Sequence, residues 1–282
     1  VINFIIIFGL IIIFKFDLWA IVIAKVVSVL VPLLYSYLNT ESKSWMNLGA
    51  RWSLDLSREI LKYAFNFYIV GILGNINRLT TKTIAASFFN PSQLAFYNQG
   101  ESSGRFINVI PNSLATILYP RISSTSDYKE SLEISCQSFR LTLVVLSLAG
   151  TLLYLVANPL IVFLYGEIFK PTAEVLQLAI PGFVIGSSCL TLKSYFEGRG
   201  EASIIPKLQT FPVILQIPLS YYMISLWGLY GAGLSLSIGT AIYGLVILVA
   251  FIWKNNLPFS AIFPNSQDFK TLLIILKDYY KK

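Results

Sequence analysis

The sequence predicts an all-α protein, a polytopic transmembrane helix bundle of about eight spans, and three observations carry this reading. The 282 residues are 55% hydrophobic and only 12% charged, with a mean hydropathy of +0.68, whereas soluble domains carry about 25% charged residues. Apolar runs long enough to cross a bilayer recur along the chain between short polar loops. Lysine and arginine gather in alternate loops instead of spreading evenly.

A span needs about 20 mostly apolar residues at about 1.5 Å each. The first run, 1–14, has no basic flank before it and no small-residue cleavage site after it. It therefore reads as a helix whose beginning is missing, not as a signal peptide. Further helices are expected over 18–38, 59–82, 93–118, 132–157, 171–196, 203–226 and 231–253. Between two of them NPLIVFLYGEIF (158–169) contains Pro159 and Gly166, which predict a re-entrant or interfacial piece. Asn39–Glu59 is a polar stretch with two tryptophans and alternating charges, suited to a linker on the membrane surface. The tail from Lys254 includes an amphipathic helix from Asp268, capped by Ser266. The expected division is thus 1–38, a linker 39–58, a helical block 59–253 and a tail 254–282.

Fourteen of the 21 cations fall in 39–62, 118–132, 193–207 and the tail, against Lys15, Lys82 and Lys170 in the opposite loops. Positive loops stay inside, so the C-terminus is expected in the cytoplasm. Trp19, Trp227 and Trp253 fall at predicted helix ends, where an aromatic belt places them. The net charge of +7 is accounted for by these loops, and no nucleic-acid partner is needed.

The chain has no histidine and two cysteines, Cys136 and Cys189, each inside an apolar run. The commonest general base and metal ligand is missing, and the cysteines read as small apolar fillers. No metal site or cofactor is expected, and hydrolytic and redox enzymes are disfavoured. A transporter is the expectation, not an enzyme, with H+ or Na+ as a coupling ion.

Four cations lie inside predicted spans: Lys25, Arg78, Arg105 and Arg140. Each costs roughly 2.5–3.5 kcal/mol at the centre of a lone helix, so they must face something polar. Asn98, Glu101, Arg105, Asn108 and Asn112 fall within an arc of about 80° on a helical wheel. Glu101 and Arg105 form an i, i+4 pair with the acid first, the favourable order. Gly100 and Gly104 allow a second helix to approach closely, and Pro111 invites a kink. The preceding helix has a matching stripe of Gly71, Asn75, Arg78 and Lys82. Arg78, Lys82 and Arg105 outnumber Glu101, so the two stripes predict a hydrated cationic cavity for an anion, in preference to polar glue between helices. In 203–226, Pro206, Pro212 and Pro218 accompany Gln209, Gln216 and Ser220 along one side, a weaker sign of the same cavity. Arg140 and Lys25 either line it or snorkel to opposite membrane surfaces.

NPSQLAFYNQGESSGRF, IPNSLATILYPRIS and NPLIVFLYGEIFKPTAEVLQLAIPG, in that order, resemble the polysaccharide repeat-unit flippases. These are the O-antigen and exopolysaccharide transporters of the multidrug/oligosaccharidyl-lipid/polysaccharide exporter (MOP) superfamily. The resemblance implies two six-helix lobes around a central cationic cavity. Residues 59–253 would form the C-terminal lobe, and 1–38 the last two helices of the N-terminal lobe. It implies alternating-access flipping of polyprenyl-diphosphate-linked oligosaccharide across the bacterial cytoplasmic (inner) membrane for surface polysaccharide, O-antigen and lipopolysaccharide biosynthesis. The implied partners are the lipid-linked oligosaccharide, the lipid bilayer and the polysaccharide polymerase and export machinery. Arginines would bind the diphosphate by charge-assisted hydrogen bonds, while the asparagines and glutamines meet sugar hydroxyls. Three alternatives compete: a peptidoglycan-precursor lipid flippase, a cation-coupled drug exporter of the same superfamily, and a truncated membrane remnant that transports nothing.

Overall fold

In the computed structural model the described residues are 26–27, 29–32, 34–35 and 53–263. The chain divides into two units, Val1–Ser57 and Arg58–Lys282. In the first, the described residues between 26 and 35 are helical. The run 1–14, Lys25, the linker 39–52 and the tail helix from Asp268 lie outside the described residues. The packed helices lie in the second unit.

From Leu54 on, the described residues form six α-helices, three short 3-10 turns and no strand. Helix α1 (Leu54–Phe88) stops two residues before Pro91. Proline disfavours helical backbone in the residue before it, and Asn90 is extended at φ −70° and ψ 165°. Asn90 then starts α2 (Pro91–Gly104) through a capping box. Its side chain accepts from Gln93 N at 2.9 Å, and Gln93 Oε1 accepts from Asn90 N at 3.2 Å. A 3-10 turn (Arg105–Asn108) leads without a break into α3 (Val109–Ser124). This turn ends three residues before Pro111, whose ring opposes the carbonyl one turn back.

Two expectations are corrected. The span expected to end at 118 runs on through Pro120 to Ser124, because Leu118 and Ile122 on either side are buried in one apolar cluster with Cys136, Cys189 and Ile252. Similarly, 158–169 is not re-entrant. Helix α4 (Tyr128–Tyr165) passes through Pro159, flanked by buried Ala157 and Ile161. Packing there outweighs one lost backbone bond, which transmembrane helices tolerate. The helix stops instead at Gly166, whose φ of +87° lies in the left-handed region. Asp127 caps the other end, accepting from Lys129 N at 2.9 Å.

After the 3-10 turn Glu167–Phe169 comes α5 (Lys170–Gly198), with Pro171 in its first turn. It is the central helix, packed against α2, α3, α4 and α6, and 67% of its most apolar window is buried, against 22% for α4. Both free cysteines, Cys136 on α4 and Cys189 on α5, are buried in one apolar cluster. Helix α6 (Ile204–Asn255) has 52 residues, about twice what a bilayer core needs. Gly228, at φ 55° and ψ −128°, divides it into arms 204–227 and 229–255, and Asn256 in the left-handed region ends it. The first arm stays helical through Pro212 and Pro218. The last described element is the 3-10 turn Phe259–Ile262.

Among the described residues, three stretches are long and apolar enough to cross a membrane: Tyr128–Tyr165, Glu167–Gly198 and Ile204–Asn255. On α4, Leu148, Leu152, Leu155 and Phe163 are exposed, Phe163 at 86%. Such an outward apolar face needs lipid around it. The chain is a multi-pass membrane protein.

Small residues set the closest approaches. A Cβ on Gly100 would stand 2.8 Å from Val175 Cγ1, and one on Gly104 2.5 Å from Phe183 Cε2. The expected contact through these glycines is therefore made, by α2 against α5. A second such seam joins α5 to α6. There Gly182 and Gly186 abut the backbone of Ser237 and Thr240, and a Cβ on Gly244 would stand 2.6 Å from Gly186 Cα.

Candidate functional site

Four elements enclose a cavity of about 210 Å³. Helix α1 contributes Gly74, Asn77, Arg78 and Thr81, and the α2–3-10 segment contributes Tyr97, Glu101, Arg105 and Asn108. Phe183, Gly186, Ser187 and Leu190 come from α5, where the glycine seam holds the wall together. Both arms of α6 complete it, including Gln209 and Gln216 from the first arm and Gly239, Thr240 and Tyr243 from the second.

Glu101 is 3% exposed and holds two cations. Its Oε1 accepts from Arg105 Nε at 3.0 Å and from Arg105 Nη2 at 2.6 Å. Lys82 Nζ lies 3.3 Å from its Oε2. The side chain of Arg105 is 44% exposed, so the guanidinium keeps contact with the outside of the pair. Arg78 has no carboxylate partner among the described residues; its Nη2 donates to Asn75 Oδ1 at 3.1 Å. With one acid for Arg78, Arg105 and Lys82, the site carries a surplus of positive charge. Ser187 Oγ donates to Asn108 Oδ1. Gln216 Nε2 donates to Ser220 Oγ at 2.9 Å and to the Ser235 carbonyl at 3.2 Å, which ties the two arms of α6 together.

Of the residues singled out from sequence, Arg78, Glu101, Arg105, Asn108, Gln209 and Gln216 line the cavity. Lys82 and Asn75 stand behind the lining and bond to members of it. Asn98 and Asn112 are off the wall. The wheel assumed an uninterrupted α-helix, but each residue of a 3-10 turn rotates about 20° further, so Arg105–Asn108 adds about 80° and turns Asn112 outward. Asn112 is exposed, and Asn98 is half-buried with its Oδ1 unpaired among the described residues. On α1 the lining face lies about 80° from the expected Gly71–Lys82 stripe, with Arg78 at the shared edge. Arg140 does not line the cavity. Its Nη1 donates to the Ala261 carbonyl at 2.7 Å, tying α4 to the last 3-10 turn. Lys25 lies outside the described residues.

Sequence reasoning missed Asn77, Thr81, Tyr97, Ser187, Thr240 and Tyr243. For Ser187 a signal existed: Gly186, Ser187 and Ser188 interrupt an otherwise apolar helix, and Gly182 with Gly186 repeats the small-residue spacing. For Tyr97 and Tyr243 there was none, since a tyrosine in a span reads equally as packing.

A family model described as polysaccharide biosynthesis protein matches residues 1–174, which include α1 to α4. A Shigella flexneri protein described as a candidate O-antigen transporter is 21% identical over 166 residues, 58% of this chain and 40% of that protein. Among solved structures, a mutant of a Vibrio cholerae MATE transporter superposes with a TM-score of 0.69 at 16% identity, covering 92% of this chain and 61% of that one. A Pyrococcus furiosus transporter of the MOP superfamily, reported with a binding pocket of reversed polarity that suggests a different function, gives a TM-score of 0.61 at 17% identity. That match covers 76% of this chain and 50% of the other. These likenesses establish the fold. The chain spans less than two thirds of the length of each of these three proteins.

Proposed function

The chain belongs to the family of polysaccharide biosynthesis proteins, and from that premise we propose that it takes part in flipping polyprenyl-diphosphate-linked oligosaccharide across the bacterial cytoplasmic membrane. The observation that carries this reading is the cationic surplus of the cavity, above all Arg78 without a carboxylate partner among the described residues. Arg78 is exposed at the edge of the cavity, and a diphosphate supplies acceptors in the geometry a guanidinium prefers. Amide and hydroxyl groups elsewhere in the wall suit sugars, and the exposed apolar faces leave the polyprenyl tail in lipid. Alternating access then needs rocking of one helix bundle against another around the site. The cation distribution orients the C-terminus to the cytoplasm, where the sugar donors would meet the pathway, while the polymerase and export machinery would meet the flipped product on the far side. An exporter of organic cations needs an acidic or apolar cavity, and this wall is neither. The Pyrococcus furiosus transporter, with its reversed pocket polarity, offers a parallel for linking pocket charge to a change of cargo.

The test is translocation by the full-length protein in proteoliposomes, using a tagged polyprenyl-diphosphate oligosaccharide and a membrane-impermeant lectin. Protein-dependent exposure of the sugar at the far leaflet is the expected result. No exposure above that of protein-free vesicles contradicts the proposal.

Glu101 also offers a place for a coupling proton, facing Lys82 from α1 and Arg105 and Tyr97 from its own segment. Replacing it by glutamine removes one negative charge beside the anion site. At an effective dielectric of about 20 this is worth roughly 1–2 kcal/mol at cavity distances. Glu101→Gln is therefore expected to tighten pyrophosphate binding about tenfold, to slow transport and to flatten its pH dependence. Titration calorimetry and a pH series of the translocation assay measure these. An unchanged pH profile removes the proton role.

A further inference from the structure

The cavity is not uniform in polarity, and the difference points to what sits beside the anion. Asn77 Oδ1 and Gln209 Oε1 are buried oxygens that accept no hydrogen bond among the described residues. Gln209 is only 7% exposed, and both side chains line the cavity. They line the same cavity from different helices, and Gln209 comes close to α1 there: a Cβ on Gly74, one turn before Asn77 and Arg78, would stand 3.5 Å from Gln209 Nε2. An unsatisfied buried acceptor is expensive, and three nearby hydroxyls and one amide are committed elsewhere. Thr81 Oγ1 donates to the Asn77 carbonyl at 2.9 Å, Thr240 Oγ1 to the Leu236 carbonyl at 2.7 Å, and Ser187 Oγ to Asn108. The amide nitrogen of Gln216 serves Ser220 and Ser235.

We propose that Asn77 and Gln209 form a sugar subsite, which recognises hydroxyl or acetamido N–H donors on the ring attached to the diphosphate. This rests on the flippase reading and adds to it the part of the substrate that each wall meets. A metal cation could also satisfy two amide oxygens, but the surplus charge of Arg78 and Arg105 repels one. A phosphate brings only acceptors, so it is unsuited to these oxygens and suited to the guanidinium groups. A neutral group rich in donors remains, and it must lie within one covalent linkage of the diphosphate.

The experiment compares two soluble probes on the full-length protein in nanodiscs: a short-chain prenyl diphosphate, and the same diphosphate bearing one N-acetylhexosamine. The native protein is expected to bind the glycosylated probe more tightly. Gln209→Met and Asn77→Leu are each expected to cut that preference about five- to tenfold, the range of one or two lost hydrogen bonds. Affinity for the bare diphosphate stays unchanged, which also shows that each variant is folded. No preference in the native protein, or a preference that survives both substitutions, overturns the subsite while leaving the flippase reading in place. Failure of the bare diphosphate to bind the native protein overturns the flippase reading itself, and the subsite with it.

Discussion

Arg78→Ala is expected to abolish surface polysaccharide in cells that depend on this protein, with its abundance in the membrane unchanged. The side chain makes one hydrogen bond, to Asn75 on its own helix, so little of the packing depends on it. Its charge faces the cavity without a carboxylate to offset it among the described residues. Hydrogen bonds to charged groups contribute about 1.5–3 kcal/mol each, so losing a bidentate pair lowers anion affinity by about two orders of magnitude. Arg78→Lys keeps the charge but loses the planar fork and should restore only part of the output. Arg105→Ala should be less specific. It frees Glu101 from its closest partner and leaves the buried acid to Lys82 alone, so lower abundance is expected alongside lower function. Immunoblots of membranes beside polysaccharide gels separate the two effects.

Gly182→Ala is expected to be among the most damaging conservative changes in the fold. The added methyl would overlap the backbone of Ser237, which no rotamer can move. The α5–α6 seam would have to open, and α5 is the central helix against which α2, α3, α4 and α6 pack. Overpacking costs about 1–3 kcal/mol, occasionally more, and this contact is with backbone on a central helix, so the upper end applies. Gly71→Ala provides the control, because nothing stands within 4 Å of the added carbon and alanine favours helix by about 1 kcal/mol. Thermal unfolding in detergent should show a lower midpoint for the first and an equal or higher one for the second.

Most of the helical framework is legible in the sequence because lipid imposes a simple rule on length and polarity. The errors have physical causes. Pro159 looks like a helix break, yet buried neighbours on both sides carry the helix through it. The face of α2 is legible as far as Asn108 and lost at Asn112, since a wheel cannot anticipate a four-residue 3-10 turn. On α1 the cavity face is rotated from the charged stripe, because Arg78 reaches in from the edge and Lys82 reaches Glu101 from behind. Gly100 and Gly104 announce a helix contact but not its partner. Asn77 and Gln209 line one cavity from different helices, and no spacing within one helix could pair them.

The central claim is that the cavity is built for a diphosphate group. Equilibrium binding of inorganic pyrophosphate and of tetraphenylphosphonium to the purified protein, at low and high salt, tests it most directly. Pyrophosphate should bind, weaken as salt rises and lose its affinity in Arg78→Ala, while the organic cation stays unbound. Binding of tetraphenylphosphonium with none of pyrophosphate would contradict the account.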